Sequence, residues 1–159
     1  MALHKIVSGG QTGVDRGALD AALAARFPCG GWCPADRSAD DGSIPDCYPL
    51  TPLARGGYRE RTRQNVLDSD GTAILFHRVL GGGTLLTLNL CKREGKSHVL
   101  IDASKTSESA AAAEIARFVE EHDIKVLNVA GPRVSHWMQG YAFAMGTVGE
   151  VIARCREMR

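Results

Sequence analysis

The stretch of this sequence best suited to chemistry is Ser8-Gly9-Gly10-Gln11-Thr12-Gly13, a glycine-rich turn between a short β-branched run and an amphipathic helix. Glycines let a backbone approach an oxyanion closely, and a following helix N-terminus offers free N–H groups and partial positive charge. The Gln11 amide and the Thr12 hydroxyl add side-chain donors, and Asp15 and Arg16 open the helix. Arg16 is expected to contact the anion, and Asp15 to hold the loop or accept a ligand N–H or O–H. Alone, such a turn is a weak signal. It lacks the full Gly-x-Gly-x-x-Gly dinucleotide spacing, and no Gly-Lys-Ser/Thr follows as in a P-loop.

Two further stretches point the same way. Gly81-Gly82-Gly83-Thr84 is a second glycine turn leading into a second helix, and Gly131-Pro132-Arg133-x-Ser135 adds a cation and a helix-capping hydroxyl. The helix that follows residue 57 has a basic face, Arg59, Arg61 and Arg63, from which Arg63 is expected to reach the ligand. Asp36, Asp40, Asp41 and Asp46 read as solvation of a loop, with one of them available to a base edge. Cys29, Cys33 and Cys47 lack zinc-knuckle spacing and have no His among them, so no metal site is expected. The 5 cysteines read as reduced thiols.

The elements that must position these residues alternate. Lys5-Ile6-Val7 reads as a strand, and Val14 to Arg26 as a helix with Val14, Ala18, Leu19, Ala22, Leu23 and Phe27 at the spacing of one face, closed by Pro28 and Gly30-Gly31. Residues 32–57 read as an irregular lid anchored by Trp32, Ile44, Tyr48 and Leu50. Then come helix Tyr58–Leu67, strand Thr72–Phe76, helix Leu85–Glu94, strand His98–Asp102, a helix capped by Thr106 or Ser107 that runs to Glu121, strand Lys125–Ala130, and a last helix capped by Ser135 that runs to about Arg156. The core strands are apolar runs rather than alternating ones, the mark of a parallel sheet covered on both faces. The expectation is one α/β domain over 1–159, a Rossmann-like three-layer sandwich with a mostly parallel central sheet and helices on both faces. In such sheets ligands sit beyond the carboxyl ends of the strands, where the glycine loops emerge. Gly140, Ala142, Ala144, Gly146 and Gly149 permit close helix contact, either inside the chain or between copies of it.

The bulk numbers agree. At 159 residues, 44% hydrophobic and 23% charged, the composition is globular. A net charge of +1 argues against nucleic acid or an anionic membrane as a partner, though not against a small anion. The start Met1-Ala2-Leu3-His4-Lys5-Ile6-Val7 moves straight into a strand pattern, so no signal peptide and a cytoplasmic location are expected.

As an ensemble, the motifs resemble the bacterial molybdenum carrier family. The resemblance is carried by Gly9-Gly10-Gln11-Thr12-Gly13-Val14-Asp15-Arg16, Gly31-Trp32-Cys33-Pro34, Asp41-Gly42-x-Ile44-Pro45, Tyr58-x-Glu60-Arg61-Thr62, Asn65-Val66-x-Asp68-Ser69-Asp70-Gly71-Thr72, Gly82-Gly83-Thr84-x-Leu86-Thr87 and Asn128-Val129-Ala130-Gly131-Pro132-Arg133-x-Ser135, nearly the whole chain. The family is similar to a circularly permuted branch of a Rossmann-like superfamily that includes the LOG-type phosphoribohydrolases. The resemblance implies a binding or carrier protein for a phosphate-bearing pterin or nucleotide, with the molybdenum cofactor (molybdopterin) as the favoured ligand. It also implies a homo-oligomer, dimer or tetramer, and molybdoenzymes or cofactor-synthesis proteins as partners. LOG-type enzymes carry a catalytic Glu after the glycine motif, whereas Gly82-Gly83-Thr84-Leu85-Leu86-Thr87 has none. No catalytic residue is therefore assigned. The alternatives are an enzyme that processes a nucleotide derivative, with Asp46, Asp15 or Glu60 as its acid or nucleophile, and a nucleotide-sensing subunit.

Overall fold

β1 (Lys5–Val7) ends at Ser8, whose buried hydroxyl donates to Val129 O at 2.6 Å. α1 (Val14–Ala24) follows the glycine turn. It closes where Arg26 takes φ 52° and Pro28, which has no N–H to donate, breaks the helical pattern. The computed structural model describes residues 3–157, so Met1, Ala2, Met158 and Arg159 of the expected domain lie outside it.

The segment expected to be an irregular lid carries short paired pieces. After β2 (Cys29–Gly30), β3 (Trp32–Cys33) pairs in parallel with β6 (Thr51–Pro52), and β4 (Ser38–Ala39) pairs antiparallel with β5 (Gly42–Ser43). Leu19, Cys33, Ile44, Tyr48 and Leu50 form a small core beneath the segment. α2 (Tyr58–Asp68), β7 (Gly71–Phe76), α3 (Gly82–Arg93), β8 (Ser97–Asp102), α4 (Glu108–Glu121), β9 (Val126–Ala130) and α5 (Gly140–Glu157) complete the chain. Ser107 caps α4, its side chain accepting from Ala110 N at 3.1 Å.

Two helix starts differ from expectation. α3 begins at Gly82 rather than Leu85, so the glycine turn itself forms the first helical turn. α5 begins at Gly140, and Ser135, expected to cap it, is exposed and caps nothing. Instead His136 N and Trp137 N both donate to Arg133 O, at 3.0 and 3.1 Å, and Trp137 tucks its ring against Gly140. Burying that indole fixes a turn that overrides the capping preference of Ser135.

The central sheet is five-stranded in the order β2-β1-β9-β7-β8, with every pairing parallel. α1, α4 and α5 cover one face through Val14, Ile115 and Val151, and α3 covers the other through Leu88 against Ile74 and Phe76. α2 packs on α3 through Val66 and Leu90. β7 shows the division within one strand: Ala73 and Leu75 face the first layer, Ile74 and Phe76 the second. This is the three-layer Rossmann-like α/β arrangement. Gly17 of α1 lets α5 approach closely, since a Cβ there would come within 3.0 Å of Ala144 Cβ. Gly140 and Ala144, part of the small-residue stripe, are thus used inside the chain.

Counted from β9 as the first strand, the sheet order reads 3-2-1-4-5, the doubly wound order with the chain cut and rejoined elsewhere. The order reverses between β9 and β7, and a crevice opens at the carboxyl ends of the strands beside such a reversal.

Candidate functional site

The loops leaving β1, β7 and β9 meet at that reversal and, with α2, enclose a cleft of about 570 Å³, part of it open to solvent. Of the residues singled out in the sequence, Gly9, Gln11, Asp15, Gly83, Thr84, Gly131 and Arg133 line it. Gly10, Thr12, Gly13, Arg16, Arg63, Gly82 and Ser135 are not among its lining residues.

The residues outside the lining mostly build the cleft. Gly10, at φ +82°, faces Leu50 and Ile44. Thr12 Oγ1 accepts from Val134 N at 3.3 Å, tying the β1 loop to the β9 loop. Gly13 has φ 86° and ψ −129°, and a Cβ there would lie 2.6 Å from Pro132 O. Arg16 is a clamp rather than a lining group: Nε donates to Gly10 O at 3.0 Å, Nη2 donates to Asp41 Oδ1 at 2.8 Å, and Nη1 pairs with the other Asp41 oxygen. Arg63 turns away to Glu94 at 3.6 Å, with half of its side chain exposed.

Arg61, not Arg63, is the α2 cation at the cleft. It is 7% exposed and donates to Gly9 O at 2.7 Å, with its guanidinium 5.3 Å from the Tyr58 ring centre. The signal that finds it is helical spacing. Tyr58, Arg61, Thr62, Asn65 and Val66 fall at i, i+3, i+4, i+7 and i+8, the inward stripe, and Arg59 and Arg63 fall off it. Asn65 locks α2 to β3, accepting from Trp32 N at 2.8 Å and donating to Trp32 O at 3.0 Å. Thr62, Asn65, Gly81, Thr87 and Asn128, all within the quoted motifs though not singled out as site residues, also line the cleft, as does His136, which no motif marks.

Gln11 is the most informative side chain. Its Oε1 accepts from Thr12 N at 3.0 Å and Asp40 N at 2.9 Å, which fixes the amide orientation. Its Nε2 is buried with no hydrogen-bond partner among the described residues. A buried unsatisfied donor costs about 1–3 kcal/mol, so a ligand acceptor there would recover that loss. Across the cleft, the α3 N-terminus presents Gly83, and the Gly82 and Gly83 N–H groups have no partner among the described residues. Asp102 steadies the loop before it, accepting from Arg78 N at 2.9 Å and from Ser104 N at 2.9 Å, and these bonds hold its carboxyl down at about 2. Arg133 donates to Asp40 Oδ1 at 2.7 Å at the cleft mouth, its guanidinium also 5.3 Å from the Tyr58 ring centre.

Asp15 is the acid of the cleft lining. Burial raises its carboxyl above the ordinary carboxylate range, against the opposing pull of Arg61 and a hydrogen bond from Gln11 N at 3.2 Å. Burial works against a carboxylate there, which lowers the repulsion an incoming anion would meet. Among the described residues there is no group of three or more His, Cys, Asp or Glu placed to hold a metal ion, and no cysteine lines the cleft. No helix of the described residues is long and apolar enough to cross a membrane.

Comparison with known proteins adds two likenesses. The model of the family described as Circularly permutated YpsA SLOG matches residues 6–152. A crystal structure of a protein named Putative molybdenum carrier protein, from Syntrophus aciditrophicus SB, is 42% identical over 95% of both chains and superposes with a TM-score of 0.91. No curated protein matches.

Proposed function

Because this chain belongs to the circularly permutated YpsA SLOG family, we propose that it is a binding or carrier protein for a phosphate-bearing pterin or nucleotide, with the molybdenum cofactor as the favoured cargo. The observation that carries this reading is the Gln11 amide, an unsatisfied buried donor in a cleft that also holds Arg61 and the open N-terminus of α3. A phosphate accepts from all three kinds of donor, and charge-assisted bonds of this type are the strong ones. In this reading molybdopterin would enter by its phosphate end. Its metal would be held by the dithiolene of the cargo itself, because the cleft lining supplies no thiol. The protein's part is to grip the phosphate and shield the rest. The name of the Syntrophus aciditrophicus protein supports the molybdenum cargo over a plain nucleotide. A homo-oligomer belongs to the same reading, supported by the exposed Val79, Leu85, Val134 and Met138 on the loops and helix around the cleft.

Asp15 supports a second reading, an enzyme acting on a nucleotide derivative, since it is a buried carboxyl in the cleft lining whose proton affinity burial raises, the direction a general acid needs. The other two candidate acids are placed less well. Glu60 Oε1 accepts from Gly57 N at 2.8 Å as a helix cap, and Asp46 is not among the lining residues.

The test is equilibrium titration of the purified protein with molybdopterin, GMP and AMP, with product analysis for released base. Saturable binding of a phosphorylated ligand without base release supports the carrier reading. Base release supports the enzyme, and no binding of any of the three removes both.

A further inference from the structure

A second hollow lies beside the anion cleft, built on the same two loops. The β7–α3 loop gives His77 to one and Gly81 to the other, and the β9–α5 loop gives Trp137 to one and Arg133 to the other. The hydrogen bond from Trp137 N to Arg133 O places the two hollows one tight turn of chain apart. The second encloses about 580 Å³, also partly open. Its wall is aromatic, with the Trp137 ring centre 5.9 Å from that of His77 and 5.6 Å from that of Phe143.

Its polar groups are unspent. Glu108, the first residue of α4, lines the hollow, and its carboxylate has no hydrogen bond or ion pair among the described residues. The side chain lies against the bare Cα of Gly146 on α5, where any added Cβ would collide with the carboxylate. The Trp137 indole N–H has no partner among the described residues either, and Gln139 adds a side-chain amide.

We propose that this hollow is the ring subsite of the ligand whose phosphate enters the cleft, and that it selects a flat heterocycle with a 2-amino-4-oxopyrimidine edge, the edge that pterins and guanine share. The inference rests on the anion-binding reading above and deepens it. Such an edge carries a ring N–H beside an exocyclic NH₂, which one carboxylate accepts together, as Glu108 is free to do. The neighbouring carbonyl needs a donor, which Gln139 and the Trp137 N–H supply, and the ring face stacks on the aromatic wall. Adenine has neither the ring N–H nor the carbonyl, so it would leave the Glu108 carboxylate without a ligand donor.

Ribose 5-phosphate, AMP, GMP and molybdopterin are titrated into the wild type, Glu108→Gln and Gly146→Ala. The wild type should bind GMP or molybdopterin at least about tenfold more tightly than AMP or ribose 5-phosphate. Glu108→Gln should erase that preference and leave ribose 5-phosphate binding unchanged. Gly146→Ala should do the same without touching the carboxylate chemically, because its methyl displaces the Glu108 side chain. Alanine favours the helix at that exposed position, so a lost preference there is not unfolding. Which of GMP and molybdopterin binds more tightly names the source of the ring. Equal affinity for all four phosphorylated probes, or an unchanged preference in both variants, overturns the ring subsite and leaves the phosphate reading standing. Absence of all binding in the wild type overturns the phosphate reading itself.

Discussion

Replacing Arg61 with Met tests the cleft where fold and function meet. The guanidinium is buried, donates to Gly9 O at 2.7 Å and faces Asp15, so one cation fixes the glycine loop and gives the cleft its buried positive charge. Met keeps much of the stem packing beneath Gly9 and Tyr58 and removes the charge. Losing a buried charge-assisted bond costs about 2 kcal/mol, which for a chain of this size lowers Tm by roughly 4–8 °C. A phosphate that used the same cation loses about 1.5–3 kcal/mol of affinity, or about 10- to 150-fold. Arg61→Lys keeps the charge but not the planar fork, so it should fall between wild type and Met in both readouts. Thermal unfolding and calorimetric titration with GMP or molybdopterin measure the two effects separately. A lower Tm with unchanged affinity would confine Arg61 to holding the loop and refute its place in the anion site. An unchanged Tm would refute the loop argument as well.

Three further outcomes follow from the geometry. Because the folded Asp15 carboxyl is raised above its ordinary 3.8, the native state binds its proton more tightly than the unfolded chain does. That contribution to stability is complete below about pH 3.8 and is lost as pH rises through the folded value, and anion affinity should fall over the same window. Asp15→Asn should flatten both profiles, and identical pH profiles for wild type and variant would reject the assignment. Gly13→Ala places a side chain at φ 86°, facing Pro132 O, and should destabilise the fold by at least about 1–3 kcal/mol in chemical denaturation; no loss would mean the two loops do not touch there. Asp41→Ala removes the partner of Arg16, whose own side chain is only 11% exposed, so stability should fall by about 1–3 kcal/mol with the fold intact. Limited proteolysis within residues 36–50 should nevertheless quicken, and unchanged cleavage would show that the pair does not hold that segment.

Much of this architecture was legible because local and long-range preferences agree. β1, β7 and β9 are apolar runs that only a covered parallel strand accommodates, and the glycine turns mark where they hand over to helices. What could not be read depends on contacts distant in sequence. The two-residue strands between Cys29 and Pro52 are too short to carry a period, and their pairing is fixed by Asn65 and by the core under Ile44 and Leu50. Ser135 has the chemistry of a cap, yet burial of Trp137 sets the start of α5 five residues later, at Gly140. Charge alone points to Arg63, whereas the stripe from Tyr58 to Val66 marks Arg61 as the inward arginine. Arg16 read as an anion contact because it opens a helix after glycines, and only the fold brings Asp41 across to claim it.

The most direct test of the phosphate-binding cleft is an amide ¹⁵N–¹H spectrum of the protein titrated with a phosphorylated ligand, GMP or molybdopterin. The Gln11 side-chain NH₂ and the backbone N–H of Gly83 should shift together and saturate together, because a single anion would bridge the orphaned amide and the α3 N-terminus. Saturable binding that leaves both signals unmoved would place the ligand elsewhere and contradict the account.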